Sequence, residues 1–186
     1  CNELVVKMTI KSDESKLLEN FQDLLNLLKE DNLPHRANPE QQSVELPTQS
    51  GELEGEMLIL WDAISSLVQC IHPLPFEVPE DKISAAESAI TRINHALTLP
   101  GFGLDHRNGF IYFRLSIPRR DDGTISAKEL QRLVRTSINT AADFYKPLSG
   151  VVLGSKSPDQ VMVDAASQAG LSSKLDDRNA ETKLDT

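Results

Sequence analysis

The stretch GFGLDHRNGFIYFRLSIP, residues 101–118, limits the fold more than any other segment of this chain. Gly101 and Gly103 suit a phosphate-cradling loop, while Asn108-Gly109 suits the tip of a hairpin. A phosphate loop needs a strand before its glycines and a helix N-terminus after them. Here a helical pattern comes first and a strand pattern follows, so a hairpin is expected. With Asn108 and Gly109 as the two central residues of a type I′ turn, His106 pairs with Ile111, Leu104 with Phe113, and Phe102 with Leu115. All the large apolar groups except Phe110 and Tyr112 then share one face, and Asp105, Arg107, Arg114 and Ser116 take the other.

Helical patterns surround this hairpin. In KSDESKLLENFQDLLNLLKEDN, Leu17, Phe21, Leu24, Leu25 and Leu28 form one stripe with Ser12 or Asp13 as cap. A second helix carries Ile83, Ala86, Ile90, Ile93 and Leu97, with Ser84 and Glu87 spaced as a reciprocal cap and Pro100-Gly101 as the stop. A third starts at the Ser126/Glu129 pair, buries Leu130, Leu133, Val134, Ile138, Ala141 and Tyr145, and is expected to end at Pro147.

Between the first two helices, residues 34–52 read as a proline-containing loop with a minor edge strand at Val44–Leu46. The apolar run 53–76 reads as two strands, Met57–Trp61 and Ser66–Ile71, or one long bent strand, with a helix through part of it left open. Leu4–Ile10 is strand-like. Beyond Gly154 the chain turns polar, with a short helix expected over 158–169. The organisation expected is an N-terminal segment 1–13, one α+β domain over 14–150 and a largely flexible tail over 151–186.

Composition narrows the function. The 186 residues, 39% of them apolar, are enough for one core, and 28 acids against 19 Lys+Arg give a net charge of −9. That charge repels nucleic acid and anionic lipid. No run reaches the roughly 18 apolar residues of a membrane helix. Two cysteines, Cys1 and Cys70, are too few for a disulfide framework. A start at Cys1 suggests that an upstream segment was removed, by transit-peptide cleavage or truncation rather than for lipidation, because a strand-like run follows at once.

Motifs for chemistry are absent or incomplete. In DDGTISAKEL, Asp122, Gly123, Ile125 and Glu129 match the later part of a calcium loop, but Pro118 and Arg120 fall where its first acidic ligands belong. His35, His72, His95 and His106 lie on different segments, none at i, i+4 spacing, so no metal site is expected. No Gly-x-Ser-x-Gly elbow exists, and Cys70 beside Ile71 reads as an inert thiol. No catalytic residues and no cofactor are expected. Arg107, Arg114, Arg119 and Arg120 concentrate positive charge in an acidic chain, and Phe110 and Tyr112 put aromatics on the nominally wet face. These six are the candidate partner-binding residues, with solvation of the sheet face as the plainer alternative. A ligand or ion pocket near His95, His106 and Asp105 is the second functional reading.

The run from Leu74 to Pro118, with Ile93-Asn94 late in the second helix, the Asn-Gly hairpin and Phe113-Arg114, then ISAKELQRLVRTSINTAADFYKPL closing on Tyr145 and Pro147-Leu148, resembles the YbjN-like proteins and their cyanobacterial and plastid relatives. The resemblance covers about residues 14–150. It implies the α+β fold of type III secretion chaperones, an antiparallel sheet with about three helices in the order α-β-β-β-α-β-β-α. It also implies a non-enzymatic, chaperone-like or assembly factor, dimeric, that holds a segment of a partner protein, with a ligand-binding regulator as the alternative. Cytoplasm, or the plastid stroma of a plant or alga, is the expected location.

Overall fold

A computed structural model describes residues 13–99 and 101–163, so the expected strand Leu4–Ile10 and the second half of the expected 158–169 helix fall outside the described residues. The elements are β1 (Leu17–Leu18), α1 (Phe21–Glu30), β2 (Arg36–Asn38), β3 (Ser43–Ser50), β4 (Leu53–Asp62), β5 (Leu67–Glu77), α2 (Ile83–Ala96), β6 (Phe102–Asp105), β7 (Phe110–Pro118), β8 (Ile125–Ser126) and α3 (Ala127–Val152). Strands β2-β3-β4-β5-β7-β6 form one antiparallel sheet, and β1 pairs with β8. The expected α-β-β-β-α-β-β-α order is present, with β1, β2 and β8 as short additions. It is an α+β fold.

Alternation along the strands divides the sheet. Val44, Leu46, Met57, Ile59, Trp61, Val68, Cys70, Ile111 and Phe113 are buried on one face and belong to a single core cluster with the apolar stripes of α1, α2 and α3. α3 lies against this inner face, where the Cys70 thiol meets Ser137. α2 packs beside it, and Phe102 joins the layers with ring centroids 5.5 Å from Phe144 and 4.9 Å from Phe113. β1 ties α1 to the start of α3, because Ala127 N–H donates to Lys16 O at 2.8 Å.

Several boundaries differ from expectation for local reasons. α1 starts at Asn20, whose side chain accepts from Asp23 N–H while Asp23 returns the bond. Leu17 therefore lies outside the helix, exposed on β1. The minor strand expected at Val44–Leu46 is a full strand over Ser43–Ser50. Trp61 N–H bonds to Gln42 O, and counting along the ladder from there places the missing N–H of Pro47 on the free edge, where proline does no harm. β5 runs through Pro73 and Pro75 at the cost of a register shift before Glu77.

α2 is capped at Lys82, two residues before the expected cap, after a 3-10 turn over Glu80–Lys82, so the Ser84/Glu87 pair does not cap it. α3 does begin at the Ser126/Glu129 box, but it continues through Pro147 to Val152. Pro147 removes one helical hydrogen bond, and burial of Leu148, Val151 and Val152 in the core offsets that loss. Past α3, Ser157 and Gln160 cap a short turn that places fully buried Val161 in the core, while Asp159 meets Arg92 of α2 at 2.5 Å.

The hairpin forms with a different tip. Its pairs are Phe102 with Phe113, Leu104 with Ile111 and Asp105 with Phe110, leaving residues 106–109 as a four-residue loop. The Asp105 carboxylate accepts from Arg107 N–H (2.9 Å), Asn108 N–H (3.3 Å) and the Asn108 amide (2.8 Å), and Gly109 N–H closes onto Asp105 O at 2.7 Å. Only Gly109 takes a positive φ, 68°, whereas a type I′ turn needs two such residues. The register is displaced by two, and because strand side chains alternate with period two every residue keeps its expected face.

Candidate functional site

The sheet's second face lies opposite the core cluster that the helices share with the inner face. On it β4 places Leu58 and Leu60, β5 places Leu67, Ile71 and Pro73, and β7 places Tyr112 and Arg114. The apolar members are all half-buried, and Arg114 is exposed. The hairpin reading had pointed to Phe110, Tyr112 and Arg114, and the structure brings these three together. The Phe110 and Tyr112 rings sit edge to face with centroids 6.2 Å apart, and the Arg114 guanidinium lies 6.0 Å from the Tyr112 ring. Gly103 makes room for this arrangement, since a Cβ there would fall 2.6 Å from Tyr112 Cζ and Oη.

The other arginines separate from this group. Arg119 stacks over Trp61 at 4.9 Å and donates to Gly123 O at 2.9 Å, fastening the turn after β7 to the end of β4. Arg120 pairs with Glu129 at 3.2 Å. Arg107 is exposed at the hairpin tip, where its backbone N–H helps close the loop.

Leu58, Leu60, Leu67 and Ile71 were not among the sequence candidates. Their signal is the unbroken apolar run Met57-Leu58-Ile59-Leu60-Trp61. In an antiparallel sheet with one solvated face, polar residues are expected at every second position. A strand apolar on both sides fits a sheet that is covered twice.

The charges on this face are sorted. On the β3–β4 flank, Arg36 pairs with Glu45 and lies 3.4 Å from Glu56, so two carboxylates share one guanidinium. A groove of about 480 Å³ opens there, lined by Arg36, Glu40, Gln41, Glu45 and Leu58 among others. On the β7 flank, Arg114 has no carboxylate partner among the described residues.

The alternative ligand site does not assemble. Asp105 spends both carboxylate oxygens on its own loop, and its hydrogen bond from the Asn108 side chain leads the effects that hold its carboxyl below the usual range. His106 meets Glu87 at 3.2 Å, while His95 stands eight residues further along α2, roughly 12 Å away along the axis. In the calcium-like stretch, Asp122 accepts from Thr124 N–H and Oγ1, and Glu129 from Ser126 and Arg120. No group of three His, Cys, Asp or Glu residues able to hold a metal occurs among the described residues.

Two buried polar groups serve the inner layer. His72 Nε2 lies 2.7 Å from Thr48 Oγ1, and burial lowers its pKa to about 4. Burial likewise pushes the Cys70 thiol up to about 12, a value at which it is no nucleophile at neutral pH. Asn94 acts as a substitute strand: its Oδ1 accepts from Gly101 and Phe102 N–H, and its Nδ2 donates to Phe102 O at 2.8 Å, which closes the start of the β6 edge.

Known proteins share this architecture. The crystal structure of YbjN from E. coli, described as "a putative transcription regulator", superposes with a TM-score of 0.51 at 15% identity, over 75% of this chain and 93% of that one. At that identity the likeness speaks for the fold alone. Among curated proteins none matches the chain. Residues 22–149 match the YbjN family, "Putative bacterial sensory transduction regulator". That match spans every strand of the large sheet, α2 and most of α1 and α3, and the chain belongs to the YbjN family.

Proposed function

We propose that this protein is a non-enzymatic regulatory module that acts by holding a partner protein on the outer face of its sheet. The observation that carries this reading is that face itself: a half-buried aliphatic strip with a Phe110–Tyr112–Arg114 cluster at its edge, over which no described helix lies. Water covers such a strip at a cost of about 25 cal/mol per Å² of apolar surface, and a partner that removes it recovers that energy. The family description as a sensory transduction regulator supports a role exercised through binding.

The domain doing this is the α+β unit of about residues 14–150, with 158–161 docked on it. The alternative of a small-ligand regulator has less in its favour, since Asp105 is taken up by its own loop and His106 by Glu87, while His95 lies two helical turns away. No described helix is long and apolar enough to cross a membrane. The proposed setting is the cytoplasm or the plastid stroma.

The test is the combined replacement Phe110→Ser, Tyr112→Ser and Arg114→Ala. Capture of partner protein from native lysate is expected to fall at least about tenfold, corresponding to about 1.4 kcal/mol, while the melting temperature moves by only a few degrees. Undiminished capture would remove the cluster from the site.

A further inference from the structure

We infer that one face of α2 is a docking site for a short capped helix, filled in cis by residues 157–163, and that a partner helix of the same chemistry, with an acid in its first turn followed by an aliphatic pair, takes the site by displacing them. This site is separate from the outer sheet face and does not depend on how that face is read.

Helix geometry sets the receiving face. Ala85, Ser88 and Ala89 lie seven, four and three residues before Arg92, so the four share one side of α2. The three small side chains are buried or half-buried and let another segment approach the helix closely, while Arg92 stands exposed at the end of the row. The 3-10 turn Pro158–Gln160 lies against α2, and the chain continues helically through residues 161–163. Val161 is fully buried there, Met162 packs half-buried on the core, and Asp159 supplies the carboxylate that meets Arg92 at 2.5 Å.

Both sides of the joint are closed locally, so the segment sits on the domain as a ligand would. α3 completes its own cap before the segment begins: Leu153 N–H donates to Ser149 O at 2.9 Å, Gly154 N–H to Val151 O at 3.0 Å and Ser155 N–H to Gly150 O at 3.0 Å. Gly154, at φ 73°, reverses the chain at that point. The segment also starts itself, with Pro158 at its first position, Ser157 N–H donating to Gln160 Oε1 at 3.0 Å and Gln160 N–H to Ser157 O at 3.1 Å. Lifting the segment breaks neither cap. It also lies past residue 149, where the family match ends, whereas α2 lies within that match. The resident segment therefore states what the site accepts: a helix that starts without help, a carboxylate for Arg92, and a modest aliphatic pair for the channel.

The test adds a fluorescent peptide of residues 155–170 to the full chain and reads anisotropy up to about 1 mM, the effective concentration that a short tether gives the resident segment. Wild type should bind it weakly, because the site is free only in molecules whose own segment has lifted. Val161→Asp in the full chain unseats that segment, so the native peptide should bind at least about tenfold more tightly. A peptide carrying Val161→Asp should not bind. Adding Arg92→Glu to the V161D chain should abolish binding of the native peptide, and a peptide carrying Asp159→Arg should restore it.

Thermal melts check that each variant folds. Should Val161→Asp fail to fold, Asp159→Arg in the full chain decides, since it sets like charges against each other at an exposed pair, leaves the core alone, and should raise affinity for the native peptide about two- to fivefold. Peptide affinity unchanged in either variant that folds overturns the inference. So does binding that ignores the charge at position 92 or the Val161 side chain of the peptide.

Discussion

Phe113 and Arg114 are neighbours in sequence and face opposite sides of one strand. Phe113 is 1% exposed and packs on Phe102 beneath α2 and α3, whereas Arg114 is exposed and reaches over Tyr112. The two faces of the sheet differ in the same way throughout. The inner face is closed by three helices and holds the fold, and its polar groups, such as His72 and Ser137, are fully buried. The outer face carries half-buried aliphatic side chains over which no described helix lies, flanked by the Arg36–Glu45–Glu56 group on one side and exposed Arg114 on the other. A residue's contribution should therefore depend on which side of the sheet it occupies, even between adjacent positions.

The sharpest way to break this comparison is on the inner face. Phe113→Ala should cost about 3–5 kcal/mol by removing a large side chain from a core that cannot close over the gap; denaturant unfolding followed by circular dichroism reads the loss. Next comes pH. Folded His72 takes up a proton only near pH 4, whereas the unfolded chain does so near 6.5. The stability associated with neutral His72 is complete above about pH 6.5 and is lost as pH falls toward 4, up to about 3 kcal/mol. His72→Gln removes this titration, so the difference between wild-type and variant stability should change across that window and level off below it.

Asn94→Ala comes third, at about 1–3 kcal/mol, because it leaves backbone groups of residues 101 and 102 without partners. On the outer face, Arg114→Ala should change monomer stability by no more than about 0.5 kcal/mol. Denaturation at protein concentrations below any association separates that small value from the inner-face losses.

Much of this contrast was legible in the sequence, because it rests on period. Alternation in FIYFRLSIP put Phe113 and Arg114 on opposite faces, and the faces survived a two-residue shift of the pairing. The Ser126/Glu129 cap was legible for a similar reason, since its bonds lie within four residues. What was not legible depended on distant contacts. β3 reads as a three-residue edge strand within a loop until β4 pairs along its whole length, and α3 passes Pro147 only because the core behind it is filled. The four-residue tip follows from the Asp105 side chain, whose bonds compete with the tight turn that Asn-Gly favours.

The candidate site was legible in part. Aromatics on a nominally wet face led to Tyr112 and Phe110, but charge clustering in sequence also drew in Arg119 and Arg120, which the structure uses as a staple and an ion pair. Leu58 and Ile71 escaped because an unbroken apolar run fits a buried strand, a two-faced strand or a piece of helix equally well. Only the register sets them on one face beside Glu45 and Arg114.

The most direct test of the account compares stability and binding in one variant, that carrying Phe110→Ser, Tyr112→Ser and Arg114→Ala. Unfolding free energy and capture of partner protein from native lysate are measured on the same preparation. The account predicts a variant that unfolds within about 1–2 kcal/mol of wild type and has lost its capture of partner protein. A variant that unfolds several kcal/mol earlier, or that captures partner as wild type does, contradicts it.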